Sequence, residues 1–186
     1  AMPGPGGGER RRWHGGRDGG RGRGCSRAYP APRPEAEAPL ADAADAIQSF
    51  GGPHKWLSNF SWSALDFEGE HYPSVEHAFQ AAKLRTNEER RAWGFTRSDL
   101  TFGEAKRLGR QVPLREDWKE AREAVMAACL AAKFSDPGLR ARLLATGDRE
   151  LIDGHSGSPD LIWGYHIPSQ AGENRLGKLL MGCGSP

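Results

Sequence analysis

"HYPSVEHAFQAAK", residues 71–83, runs from an aromatic strand end through a proline and a serine into an amphipathic stretch that opens with Glu76-His77. Pro73 has no N–H to give a sheet ladder and closes the extended segment. Ser74 is the residue type whose hydroxyl accepts from the free N–H groups of a helix start. With Ser74 as N-cap, Val75, Ala78, Phe79 and Ala82 make one buried stripe, and Glu76, Gln80 and Lys83 align on another face at i, i+4 and i+7. His77 points elsewhere. Glu76 falls at N2, where the helix dipole favours a carboxylate, which suits a base, nucleophile or cation stabiliser better than a general acid. The same pattern is also what a solvated helix face looks like, so the helix alone leaves function open.

Upstream, "ALDFEGEHY" (64–72) reads as a hairpin turning at Glu68-Gly69, and "AIQSF" (46–50) as a strand. Downstream, helix starts are expected at Asn87, at a Thr101/Glu104 capping box and at Asp136-Pro137. The longest helix is expected over about 115–134, with Trp118, Ala121, Val125, Cys129 and Ala132 inward. Leu139, Leu143 and Leu144 should face inward from the next helix, and "ELID" (150–153) is a further strand. Residues 153–174 lack periodicity, and a loop of that length in a compact domain is usually functional. "NRLGKLLM" (174–181) reads as a closing helix capped by Gly182. The expectation is an α+β domain, mainly helical, with a small, mostly antiparallel sheet.

At 186 residues and 37% hydrophobic content, one core of ordinary size is expected. Residues 1–34 hold ten Gly, five Pro and eight Arg against two acidic residues, a net of +6, which leaves 18 basic against 22 acidic residues, or −4, for 35–186. So little apolar surface cannot offset ordering entropy, so residues 1–46 are read as a disordered arm and 47–186 as the domain. The Arg/Gly texture of residues 10–33 suits nonspecific nucleic-acid contact, or is simply a biased leader. No stretch is apolar enough to span a bilayer and no signal-like core follows the arginines, so a cytoplasmic protein without membrane contact is expected. Cys25, Cys129 and Cys183 are odd in number and far apart, which suggests neither a disulfide framework nor zinc.

Further polar positions stand out. Ser58 and Asn59 in "WLSNF" are either ligand contacts or turn chemistry. Trp118 is a core residue by periodicity, or a stacking platform at a helix start. Asp153, His155, Asp160 and His166 match no metal-ligand spacing, so no metal is expected. Asp160 beside Leu161-Ile-Trp163-Gly164 is a carboxylate next to apolar bulk, a setting for an acid or base. "AGENRLGK" (171–178) offers free amides at a helix start beside Arg175 and Lys178, a possible phosphate cradle.

The ordered series Ser58-Asn59-Phe60, Tyr72-Pro-Ser-Val-Glu76-His77-Ala-Phe-Gln80-Ala-Ala-Lys83, Gly109-Arg110, Leu114-Arg-Glu-Asp-Trp118, Val125-Met126, Ala132-Lys133-Phe134, Leu144-Ala-Thr-Gly147, Asp160-Leu-Ile-Trp163-Gly164 and Gly172-Glu-Asn174-Arg-Leu-Gly177-Lys-Leu-Leu-Met181 resembles the NADAR, or YbiA-like, family. The likeness covers about residues 48–181 and none of the arm. It departs from the family pattern at Tyr165-His166, after Trp163-Gly164.

The resemblance implies an N-glycosidase that needs no cofactor. It would cleave the bond between ribose C1′ and a base nitrogen, either in phosphorylated riboflavin-pathway intermediates or in ADP-ribose attached to guanine. The partner is then a nucleotide-like small molecule or ADP-ribosylated nucleic acid. It implies Glu76, Lys83 and Asp160 as catalytic residues, with Lys83 forming an imine. Ser58, Asn59, Gln80, Arg110, Trp118, Trp163, Gly164, Asn174 and Lys178 are expected to contact substrate. Chemically, burial would lower the pKa of Lys83 and Glu76 would raise it, so the two roles oppose each other. A non-catalytic reader of ADP-ribose and an RNA-binding protein acting through its arm are the other classes compatible with the sequence. Oligomeric state is left open.

Overall fold

The computed structural model describes residues 46–157 and 160–184. The expectations for the arm, including nucleic-acid contact through residues 10–33, lie outside these residues except for Ala46. That residue opens β1 (Ala46–Ile47). The strand expected over 46–50 is cut to two residues because Gly51-Gly52-Pro53 turns into a 3-10 helix, Gly52–Leu57.

β2 (Leu65–Phe67) and β3 (Glu70–Tyr72) form the expected hairpin, with Leu65 opposite Tyr72. Glu68 and Gly69 both take positive φ, 48° and 80°, in the mirror-image turn that matches strand twist. The cost of that conformation at Glu68 is offset by its ion pair to buried Arg90 at 2.6 Å and by Asn87 donating to its carbonyl. Arg90 and Asn87 lie on α2 (Asn87–Ala92). Its N-cap is Thr86, not Asn87: the Thr86 hydroxyl accepts from Glu89 N while the Glu89 carboxylate accepts from Thr86 N.

α1 (Val75–Ala81) starts at Ser74 as the sequence indicates, and every one of its residues is buried. It packs against α3 (Phe102–Leu108) and α4 (Trp118–Lys133). A helix enclosed on all sides must satisfy its polar side chains inside the protein. The His77 ring lies 2.7 Å from Ser74 Oγ and 2.9 Å from the Leu100 carbonyl. The carbonyl can only accept, so Nε2 carries the proton and Nδ1 accepts from the serine.

α4 buries Trp118, Val125, Met126, Cys129 and Leu130, while Ala121 and Ala132 of the expected stripe are only partly buried. α5 (Pro137–Leu144) is capped by Asp136 Oδ1, which accepts from Leu139 N at 2.8 Å. Leu143 enters the core, but Leu144, expected inward, stays exposed at the last position of this short helix. β4 (Glu150–Leu151) returns beside β1 in parallel, and β5 (Gly154–His155) pairs in parallel with β6 (Tyr165–His166). Among the described residues the sheet expected as mostly antiparallel is instead three two-stranded pieces, of which the hairpin is antiparallel and the other two parallel. The long returns from β1 to β4 and β5 to β6 bring the second strand back in the same direction. α6 (Arg175–Gly184) closes the domain and runs through Gly182, which is a helix residue and not the expected cap. The α+β, mainly helical architecture holds.

Candidate active site

A cavity of about 580 Å³ opens between α1, α3, α4 and residues 153–155, 160 and 163. α1 supplies Glu76, Phe79 and Gln80, and the turn that follows it Lys83; α3 and its C-terminal turn supply Lys106 and Arg110; α4 supplies Trp118, Arg122 and Met126. Ser58, Asn59 and Phe60 approach from the loop after the 3-10 helix, and Asp153, His155, Asp160 and Trp163 from the long loop.

Glu76 is 5% exposed, with Gln80 Nε2 donating to its Oε1 at 2.9 Å and its own N–H donating to the Asn59 carbonyl at 3.3 Å. Burial pushes its carboxyl above the usual range, although the Gln80 hydrogen bond and the charges of Lys106 and Lys83 pull back. Desolvation is the largest influence on this carboxyl and acts against the pull expected from the helix dipole at N2.

Lys83 sits one further turn along, its Nζ donating to the Gly109 carbonyl at 2.6 Å and standing 6.0 Å from the centre of the Trp118 ring. Burial lowers its pKa; Glu76 opposes this, while Arg110 and Lys106 push the same way. Burial thus pushes the two groups in opposite directions, the Glu76 carboxyl up and the Lys83 amine down, which in each case disfavours the charged form. Gly109 allows this packing, because a Cβ there would overlap the Gln80 amide.

Asp160 is 35% exposed at its side chain. Its Oδ1 accepts from Trp163 N at 3.1 Å and its Oδ2 lies 3.8 Å from Lys106 Nζ. Asp153 and His155 pair at 3.2 Å, and burial raises the Asp153 pKa against the pull of His155. Phe79 meets Trp118 at 5.1 Å and Trp163 edge-on at 5.4 Å, making an aromatic wall.

Nine of the residues singled out from sequence thus line one cavity: Glu76, Lys83 and Asp160 together with Ser58, Asn59, Gln80, Arg110, Trp118 and Trp163. Gly164, Asn174 and Lys178 are not among its lining residues. Asn174 takes φ 50° and clamps the backbone instead: its Oδ1 accepts from Asp153 N at 3.0 Å and its Nδ2 donates to the Leu151 carbonyl at 2.9 Å. Gly164 is packed so that a Cβ would meet the His155 ring.

The possible phosphate cradle at 171–178 is filled by the protein itself. The N–H groups of Glu173, Asn174, Arg175 and Leu176 donate to the carbonyls of Leu161, Gly164, Ile162 and Trp163. Arg175 is paired with Glu123 and Glu173, and Lys178 is exposed. That start of α6 therefore holds the Asp160–Gly164 loop in place.

Lys106, Arg122, Asp153 and His155 join the cavity without having been assigned a substrate role from sequence. Lys106 lies four residues before Arg110, so one face of α3 offered a signal, but the crossing of α1 and α3 that aims it inward is tertiary. Lys133 lies behind the site, 2% exposed, its Nζ donating to the Ser58 carbonyl at 2.9 Å and to Ser61 Oγ at 3.1 Å. It tethers the loop that presents Ser58 and Asn59. No group of metal-binding side chains occurs among the described residues.

The NADAR domain model matches residues 48–183. N-glycosidase YbiA of Escherichia coli strain K12 is 38% identical over 128 residues, covering 67% of this chain and 76% of its own. The solved NMR structure of E. coli YbiA superposes with a TM-score of 0.65 at 33% identity, covering 77% of this chain and 85% of that one. An N-glycosidase of Nostoc punctiforme is 32% identical over 69% of this chain and 83% of its own. A riboflavin biosynthesis protein of Vibrio vulnificus is 35% identical over 69% of this chain but only 34% of its own length.

Proposed function

Given that the chain belongs to the NADAR family, we propose that it is an N-glycosidase that hydrolyses the C1′–N bond of a phosphorylated ribosyl or ADP-ribosyl base. The observation that carries this reading is the convergence of Glu76, Lys83 and Asp160 on one aromatic-walled cavity rimmed by Lys55, Lys106, Arg110 and Arg122. Its 580 Å³ suits a nucleotide-sized ligand, with cations for phosphate and Trp118 and Trp163 for a flat base.

In this mechanism the C1′–N electron pair leaves with the base, and Glu76, whose carboxyl burial pushes above its usual range, gives that nitrogen its proton. The carboxylate left behind faces the positive charge that develops on the sugar. Water then adds its oxygen to C1′ and passes a proton to Asp160, from which Glu76 is restored. In the covalent variant, once the base has left, the Lys83 amine, its pKa lowered by burial, bonds to C1′; the C1′–O4′ bond then breaks as the amine's proton passes to O4′, and water hydrolyses the resulting imine to free the sugar and the amine. Carboxyl and amine groups carry every step without a metal ion. Ser58, Asn59 and Gln80 hold the sugar, and Asp153-His155 orients the long loop. A cytoplasmic setting belongs to this reading; no described helix is long and apolar enough to cross a membrane.

Two substrate sets fit the chemistry: phosphorylated intermediates of riboflavin synthesis and ADP-ribosyl-guanine in a nucleoside or in nucleic acid. Incubating the protein with both and weighing the products decides between them. Release of free base with water added at C1′ is expected from one set, and borohydride should leave a reduced adduct on Lys83. Intact substrates in both sets would overturn the reading.

A further inference from the structure

Three aromatic rings lead from the cavity to open surface. Phe60 lines the cavity and stacks on Phe102 at 5.5 Å with an interplanar angle of 22°. Phe102 in turn lies 4.3 Å from Trp62. Trp62 rests against Phe102, with the His77 ring at 6.1 Å, and is 53% exposed. A tryptophan covering the core on one side only leaves a large apolar, flat surface in water. Positive charge accompanies the row. Lys106, four residues after Phe102 on the same face of α3, holds its Nζ 5.7 Å from the Phe60 ring, and Arg110 follows four residues later at the cavity. The only ion pair of Lys106 among the described residues is the loose 3.8 Å approach to Asp160. These cations stand out because residues 35–186 carry 18 basic against 22 acidic side chains.

The geometry points to a second subsite: the Phe60–Phe102–Trp62 row with Lys106 holds the neighbouring nucleotide of a single-stranded nucleic acid whose modified base occupies the cavity. This rests on the N-glycosidase reading of the cavity and selects, within it, a strand over a free metabolite. Flat rings accept any base by stacking, and a flanking cation suits the intervening phosphate. The row is continuous with the cavity wall through Phe60, so a strand entering the cavity passes over it. An apolar protein partner has no comparable need of the cations.

Trp62→Ala in the full chain tests this, since Trp62 lies outside the reacting groups. Two readouts are used: anisotropy of a labelled, unmodified ten-residue oligothymidylate, and kcat/KM on a modified single-stranded oligonucleotide and on the modified mononucleotide. The variant should bind the oligonucleotide roughly tenfold more weakly, lose roughly tenfold in kcat/KM on the modified strand and keep its rate on the mononucleotide. Trp62→Phe should restore most of both losses, which a disturbed fold would not allow. Unchanged oligonucleotide affinity overturns the proposal, as does an equal loss on strand and mononucleotide. If the wild type turns over neither substrate, the N-glycosidase reading fails, while the binding comparison still decides whether Trp62 stacks on a base.

Discussion

Lys133 costs the fold stability in a way that pH removes. Burial, reinforced by the like charge of Lys55, lowers its pKa from 10.5 to about 7. Between those values the unfolded chain carries a proton that the folded chain has shed, so stability rises with pH, by at most about 1.4 kcal/mol per unit. Integrated from pH 7 to pH 9 with those two values, the wild type should gain about 2 kcal/mol from this residue alone. Lys133→Met removes the titration and the two hydrogen bonds to Ser58 and Ser61. Urea unfolding of both proteins at pH 7, 8 and 9 isolates the effect as the difference between two curves, because the other titrating groups are common to both. The wild type should gain on the variant by about 2 kcal/mol over that range. Parallel curves would show that the amine is not held in a dry site, and the tether on the Ser58–Asn59 loop would lose its physical basis.

Other substitutions test the supports of the site. Gly109→Ala should push the Gln80 amide off Glu76, costing about 1–3 kcal/mol by overpacking and lowering kcat about tenfold or more; equal kcat would show that Gln80 does not set the acid. Asn174→Ala should cost about 2–3 kcal/mol in chemical denaturation, from one buried and one part-buried hydrogen bond and a positive φ, with Asn174→Gly recovering only the backbone part. Glu76→Gln should be more stable than the wild type, by a margin that grows as pH rises above the carboxylate range. Burial raises the Glu76 pKa, so the folded protein pays to ionise it there, and a margin independent of pH would contradict that.

What was legible in the sequence was local. Ser74, Thr101 and Asp136 announce their helices because a cap is a hydrogen bond between a side chain and N–H groups within three residues. The hairpin at Glu68-Gly69 is equally local. Thr86 was missed by one residue because Asn87, also a good capping type, stands beside it. The parallel pairing of β1 with β4 was not legible, since it joins residues more than 100 positions apart through elements of two residues each. The Glu76, Gln80 and Lys83 stripe followed from helical spacing, but its burial did not: α3 and α4 enclose a face that looks solvated in sequence. Lys133 shows the same limit, a lysine at the end of an amphipathic helix that only the folded chain shows to be dry. The 171–178 segment shows the reverse, since amides that look free in sequence are taken up by the carbonyls of residues 161–164.

The central claim is that Glu76 acts on the glycosidic bond. The measurement that bears on it most directly is single-turnover release of free base by wild type and by Glu76→Gln at saturating substrate, alongside substrate affinity for both. The account expects a rate lowered by about 10²–10⁴ with affinity largely kept. Base release at the wild-type rate from Glu76→Gln would contradict it.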